Sequence, residues 1–135
     1  MAYLLTIETS ETLCSLCLTK DGQVLSQSSQ PGRRQQADLL LPAVHELLQA
    51  SGKALSDLDA IGVSVGPGAF TGVRIGIAMA QGLAYGLNLP VAPIPTLKGW
   101  SVAGFAAGYT QVICASDARL NEVYMAAYDL SLIHI

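Results

Sequence analysis

The chain opens with short strand-like apolar runs and changes to helical spacing after about thirty-five residues. Tyr3–Glu8, Cys14–Lys20 and Gln23–Ser28 read as three strands, bounded by turn-forming residues. Asp21-Gly22 is a two-residue hairpin signal between the second and third. Glu8–Thr12 makes the preceding turn, and Pro31-Gly32 closes the region. From Gln36 to Ala50, Leu40, Val44, Leu47 and Leu48 recur at helical spacing, with Gly52 as the stop. Pro42 inside this helix predicts a kink or a later true start. Ile61–Val65 is apolar enough throughout to be a central parallel strand. Val91–Ile94 is a fifth strand between prolines, and Thr96–Ala107 is a helix with Thr96 as its N-cap. Val112–Ser116, a turn at Ala118–Asn121 and Glu122–Tyr128 make a last pair of strands.

The order is therefore βββαβαβα followed by ββ. The final pair repeats the opening of the chain: a buried strand, an acidic turn, a second strand. This predicts an α/β protein of duplicated architecture. Residues 1–109 form the first domain and 110–130 the first two strands of an incomplete second one; 131–135 are a tail that matches neither.

Between the fourth and fifth strands lies the segment Gly66–Leu87. It begins as a glycine turn and continues as a helix whose only ionisable side chains are Arg74 and Tyr85. A helix that is apolar on every side must be covered on every side. Gly72, Gly76, Ala80 and Ala84 form one row of small residues; Ala78, Gly82 and Gly86 form another. Each internal glycine costs roughly 1 kcal/mol relative to alanine, and a close approach to a neighbouring element offsets that cost. Two covers are open: the chain's own sheet and helix, or a second subunit. The second is the expectation, with Gly72, Val73, Ile75, Gly76, Met79, Ala80 and Leu83 as interface residues and Ile75, Met79 and Leu83 as the larger knobs.

Composition narrows the function classes. The chain has 135 residues, 51% of them hydrophobic and only 13% charged, which excludes disorder. Its net charge of −3 and scattered basic residues give no nucleic-acid footprint. No basic leader precedes the first strand, and the apolar stretch Ile75–Leu87 is too short to span a bilayer; a cytoplasmic location without membrane contact is expected. Cys14 and Cys17 lie three apart on one strand and so point to opposite faces, which excludes a shared metal. The glycine turn lacks the Gly-Lys-Ser/Thr of a P-loop and the spacing and acidic partner of a dinucleotide fingerprint. Glu8-Thr9-Ser10 follows a strand and could hold a metal–phosphate group or satisfy its own backbone. Asp117 and Arg119 form a comparable later turn, paired with each other or with Glu122. His45, on the polar side of the first helix, and His134 stand apart, and the sequence holds no catalytic or metal-binding constellation.

Three blocks carry a resemblance: Ile7-Glu8-Thr9-Ser10, the run Gly66-Pro67-Gly68-Ala69-Phe70-Thr71-Gly72-Val73-Arg74-Ile75-Gly76, and Ser116-Asp117-Ala118-Arg119 with Glu122-Val123-Tyr124. They resemble the TsaB (YeaZ) family over about Met1 to Leu130. The resemblance implies the actin-like, sugar-kinase-like and Hsp70-like ATPase fold, built from ribonuclease H-like domains. It implies a role in forming threonylcarbamoyladenosine in bacterial tRNA, as a non-catalytic scaffold that pairs with itself or with the catalytic TsaD and is joined by the ATPase TsaE. Contact with tRNA would come only through that complex. It makes Glu8, Thr9 and Ser10 the remnant of a phosphate loop, with ATP or ADP conceivable only in the full complex. In the catalytic relative a metal-binding H-x-x-x-H follows the fifth strand; here Thr96 and Trp100 hold those places and cannot ligate a metal. The rival reading is an enzyme of the same fold, a nucleotide-dependent phosphotransferase or hydrolase using Glu8, with a metallopeptidase as a weaker third.

Overall fold

A computed structural model describes residues 2–31 and 36–130. Gly32, the tail 131–135 and His134 lie outside the described residues. The elements are β1 (Tyr3–Glu8), β2 (Leu13–Lys20), β3 (Gln23–Pro31), α1 (Gln36–Ala50), β4 (Ala60–Ser64), α2 (Phe70–Leu87), β5 (Val91–Ile94), α3 (Thr96–Ala106), β6 (Gln111–Arg119) and β7 (Glu122–Asp129), with a 3-10 turn at Leu55–Asp57.

The first five strands form one sheet in the order β3-β2-β1-β4-β5. β1, β2 and β3 are antiparallel neighbours, and β4 runs parallel to both β1 and β5. The β2–β3 turn places Asp21 and Gly22 at positive φ, as a type I′ hairpin requires. Alternation sorts the strands: Leu5 and Ile7, Cys14, Leu16 and Leu18, and Ile61 and Val63 are all buried. The register sets Leu5 beside both Leu18 and Ile61, so these residues share one face. Leu40, Ala43, Val44, Leu47 and Leu48 of α1, with Ala80 and Ala84 of α2, complete that core. A second, smaller core joins Leu97, Trp100 and Phe105 of α3 to Val112, Cys114, Ala126 and Tyr128 of the β6–β7 hairpin.

Several expectations need correction. β3 continues three residues past Ser28, because every residue from Ser26 to Pro31 finds a partner on β2. β4 starts at Ala60 and ends at Ser64, with Val65 outside the ladder. β6 runs on to Arg119 and takes in the first half of the expected turn; the reversal is confined to Leu120 and Asn121. α1 starts at Gln36 despite Pro42, which lies on its exposed side. Thr96 is the first residue of α3 rather than its cap: Pro95 occupies the cap position, and the Thr96 amide donates to Gly66 O at 2.8 Å.

The largest correction concerns α2. Gly72, Gly76, Ala80 and Ala84 are its buried residues, and they face the chain's own sheet. A Cβ at Gly76 would overlap the Thr9 hydroxyl and lie 3.6 Å from Val63 and 3.7 Å from Ile7. Gly72, Gly76 and Ala80 are therefore core residues and not a subunit interface. The close approach that offsets their helical cost is made to the sheet. Gly82 has nothing within 4 Å of a built Cβ.

The two glycines should then respond oppositely to alanine. Gly76→Ala is expected to lose about 1–2 kcal/mol, overpacking outweighing better helix propensity. Gly82→Ala should gain about 0.5–1 kcal/mol. Urea unfolding of both variants measures the difference.

Candidate functional site

The ends of β1 and β4 meet the glycine turn, and their polar groups interlock. Glu8 Oε1 accepts hydrogen bonds from the Ser10 amide (2.7 Å) and the Ser10 hydroxyl. Glu8 Oε2 accepts from the Ser64 hydroxyl at the end of β4. The Thr9 hydroxyl donates to Gly72 O at 2.6 Å, and Ser10 O accepts from the Ala69 amide at 2.6 Å. Thr9 and Ser10 are fully buried. Gly66 sits at φ +106, which only glycine adopts readily, and Gly68 lets Ser10 pass so close that a Cβ would lie 2.5 Å from its carbonyl oxygen. The expected phosphate-loop residues are thus brought together, but their hydroxyls are directed at protein acceptors.

Beside this lock, Glu11, Gly68, Phe70, Thr71, Asp117, Arg119 and Tyr124 line an open cleft of about 550 Å³ between the glycine turn and the β6–β7 hairpin. The Ser116 hydroxyl donates to Glu11 Oε1 across it at 3.2 Å. Asp117 and Arg119 pair through the backbone: Asp117 Oδ1 accepts the Arg119 amide at 2.7 Å. Arg119, Leu120 and Asn121 all stand at positive φ. Arg74, the lone charge of α2, lies 3.8 Å over the Phe70 ring.

On the opposite side of α2, an apolar groove of about 400 Å³ runs between α1 and α2. Ala37 and Leu41 form one wall; Ile75, Ala78, Met79, Gly82 and Leu83 form the other. Three of the expected interface residues, Ile75, Met79 and Leu83, line it; each is half-buried and also packs on the core. Val73 is half-buried and lies outside the lining. Ala78 and Gly82, which carry the outer row of small residues, are exposed in it.

Candidate chemistry elsewhere is sparse. Among the described residues no group of three or more His, Cys, Asp or Glu side chains could hold a metal. Burial raises the thiols of Cys14, Cys17 and Cys114 above their ordinary range, and all three are free. Thr96 Oγ1 is buried without a hydrogen-bond partner. Among the described residues no helix is long and apolar enough to cross a membrane. Sequence reasoning missed Ser64 and the Ser116–Glu11 contact. Ser64 had one available signal, a hydroxyl ending an otherwise apolar strand beside the strand that carries Glu8.

A family model described as TsaD, tRNA N6-adenosine threonylcarbamoyltransferase, matches residues 23–132. The chain is 41% identical to the tRNA threonylcarbamoyladenosine biosynthesis protein TsaB of Escherichia coli, over 93% of its own length and 54% of that protein's. It is also 41% identical to the solved structure of YeaZ from Pseudomonas aeruginosa, with a TM-score of 0.91 over 99% of this chain and 63% of that one. The chain belongs to the TsaB (YeaZ) family. It spans about half the length of the curated relatives it matches. A ROK hexokinase from Thermus thermophilus, 16% identical with a TM-score of 0.58, shares the fold, the sugar-kinase-like architecture that the family resemblance implies.

Two outcomes test this description. Glu8→Ala strips the acceptor from three donors and is expected to cost about 2–4 kcal/mol, read by denaturant unfolding. At pH 7 the raised thiols hold little thiolate, so the folded chain should react slowly with a thiol reagent and rapidly once unfolded. Labelling followed by mass spectrometry checks this.

Proposed function

We propose that this chain represents the N-terminal part of a non-catalytic partner subunit of the bacterial machinery that forms threonylcarbamoyladenosine in tRNA. It docks through the groove between α1 and α2, onto a second copy or onto a TsaD-like catalytic subunit. A TsaE-like ATPase joins the assembly, and tRNA is reached only through it. The groove is the observation that carries this reading. Its floor is made of residues anchored in the core, and its lip at Ala78 and Gly82 is exposed and small enough for another helix backbone to come near. The inner row of α2 is unavailable because the sheet occupies it. Thr9 and Ser10 spend their hydroxyls on protein acceptors, which favours a scaffold over a reading that uses those hydroxyls to hold a phosphate.

Light scattering after size-exclusion chromatography tests the docking surface, alone and with a TsaD-like protein. Ala78→Glu places a charge in the groove without entering the core. It should weaken association at least tenfold while leaving the unfolding midpoint within about 0.5 kcal/mol of the parent. Unchanged association would remove the groove from the reading.

A further inference from the structure

At the end of the sheet where β1 begins, two ammonium groups converge on one phenol. Tyr3 starts β1 and Lys20 ends β2, and the antiparallel register makes them direct partners. Lys53 comes from the turn that stops α1. Gly52 stands there at φ +67, its amide donates to Gln49 O at 3.0 Å, and the Lys53 amide donates to Leu48 O at 2.9 Å. This left-handed stop fixes where Lys53 leaves the helix. Lys20 Nζ lies 5.6 Å from the centre of the Tyr3 ring and Lys53 Nζ 4.9 Å. Tyr3, Lys20 and Lys53 are each half-buried, and the Tyr3 ring packs on the edge of the main core. Two carboxylates at the start of the strand are engaged with backbone: Asp59 Oδ2 accepts the Tyr3 amide at 2.7 Å, and Asp21 Oδ1 accepts the Ala2 amide at 2.8 Å.

Both ammonium groups are attracted to the ring, and more strongly to a negative charge on its oxygen. Hydrogen bonding from Lys53 is the largest influence holding the Tyr3 phenol below its ordinary range; burial opposes it, and the charges of Lys20 and Lys53 add to it. Tyr128 is the opposite case, since burial raises its phenol and the neighbouring Cys114 adds to the rise. The phenolate is the nucleophilic form of this side chain.

We propose that Tyr3 is an acyl-accepting nucleophile, its hydroxyl activated by Lys20 and Lys53 and open to activated carboxyl donors such as acyl imidazoles and acyl phosphates. The phenol oxygen forms an ester bond to the acyl carbon. The bond from that carbon to its leaving group breaks, and the phenol proton leaves with the imidazole or the phosphate. The site sits at the other end of β1 from Glu8 and does not draw on the docking groove.

The test treats the folded 135-residue chain with N-acetylimidazole near neutral pH and follows each tyrosine by peptide mass spectrometry. Exposure alone ranks Tyr85, Tyr109 and Tyr124, at 92%, 66% and 44%, ahead of the half-buried Tyr3. The proposal inverts that order: Tyr3 should be acetylated first, at least about threefold faster than Tyr85. Lys53→Met should slow Tyr3 at least about threefold and leave Tyr85 unchanged, while Lys53→Arg, which keeps the charge, should retain most of the rate. Hydroxylamine cleaves aryl esters but not amides, and should remove the label. Tyr85 reacting ahead of Tyr3 overturns the proposal, as does a Tyr3 rate indifferent to Lys53→Met. A label on this cluster that resists hydroxylamine also overturns it and gives the nucleophile to Lys20 or Lys53.

Discussion

The approach of α2 to the end of β1 is the contact on which the rest of this structure depends. Gly76 lies so near the Thr9 hydroxyl that a methyl group does not fit between them, and that hydroxyl is itself fixed on Gly72 O. Gly68, in the turn that precedes α2, likewise leaves no room for a Cβ against Ser10. Three glycines, the Thr9 hydroxyl and the Ser10 carbonyl thus bring an 18-residue helix down onto the sheet at its N-terminal end. Glu8 ties the loop that carries Thr9 and Ser10 to the end of β4 through Ser64. Because these donors and acceptors satisfy one another inside the protein, the site costs little desolvation and offers little to a ligand.

That inward commitment decides what α2 can do outward. A helix with small residues on both sides can be pressed close on both. Here the sheet has taken one side, and the side along the groove presents the exposed Ala78 and Gly82 with the half-buried Ile75, Met79 and Leu83. Beyond the described cores, the cleft holding Arg119, Asp117 and Tyr124 opens where the glycine turn faces the second hairpin. The Ser116 hydroxyl reaches Glu11 across it at 3.2 Å.

Much of the fold was legible because its signals are local. Asp21-Gly22 forces the β2–β3 hairpin, the Leu40, Val44, Leu47 and Leu48 spacing sets α1, and the unbroken apolar run of β4 marks a strand covered on both flanks. Strand ends were not legible, since pairing with β2 carries the polar Ser28–Pro31 stretch into the sheet against its own propensity. The direction of the Gly72–Ala84 row was also hidden. A row of small residues shows that something comes close but not what, and the answer lay in Thr9, more than sixty residues away in sequence. Thr96 looked like a cap by type; Pro95 displaced it by fixing the backbone one residue earlier.

Hydrogen–deuterium exchange of the chain, alone and mixed with a TsaD-like protein, tests most directly the claim that α2 is locked inward and open outward. The account predicts that the buried amides of β1, β4 and the α2 start are already slow in the free chain and unchanged by the partner, while exchange slows on α1 and across Ile75–Leu83. Protection confined to the cleft or to β6–β7, with α1 and α2 unaffected, would contradict it.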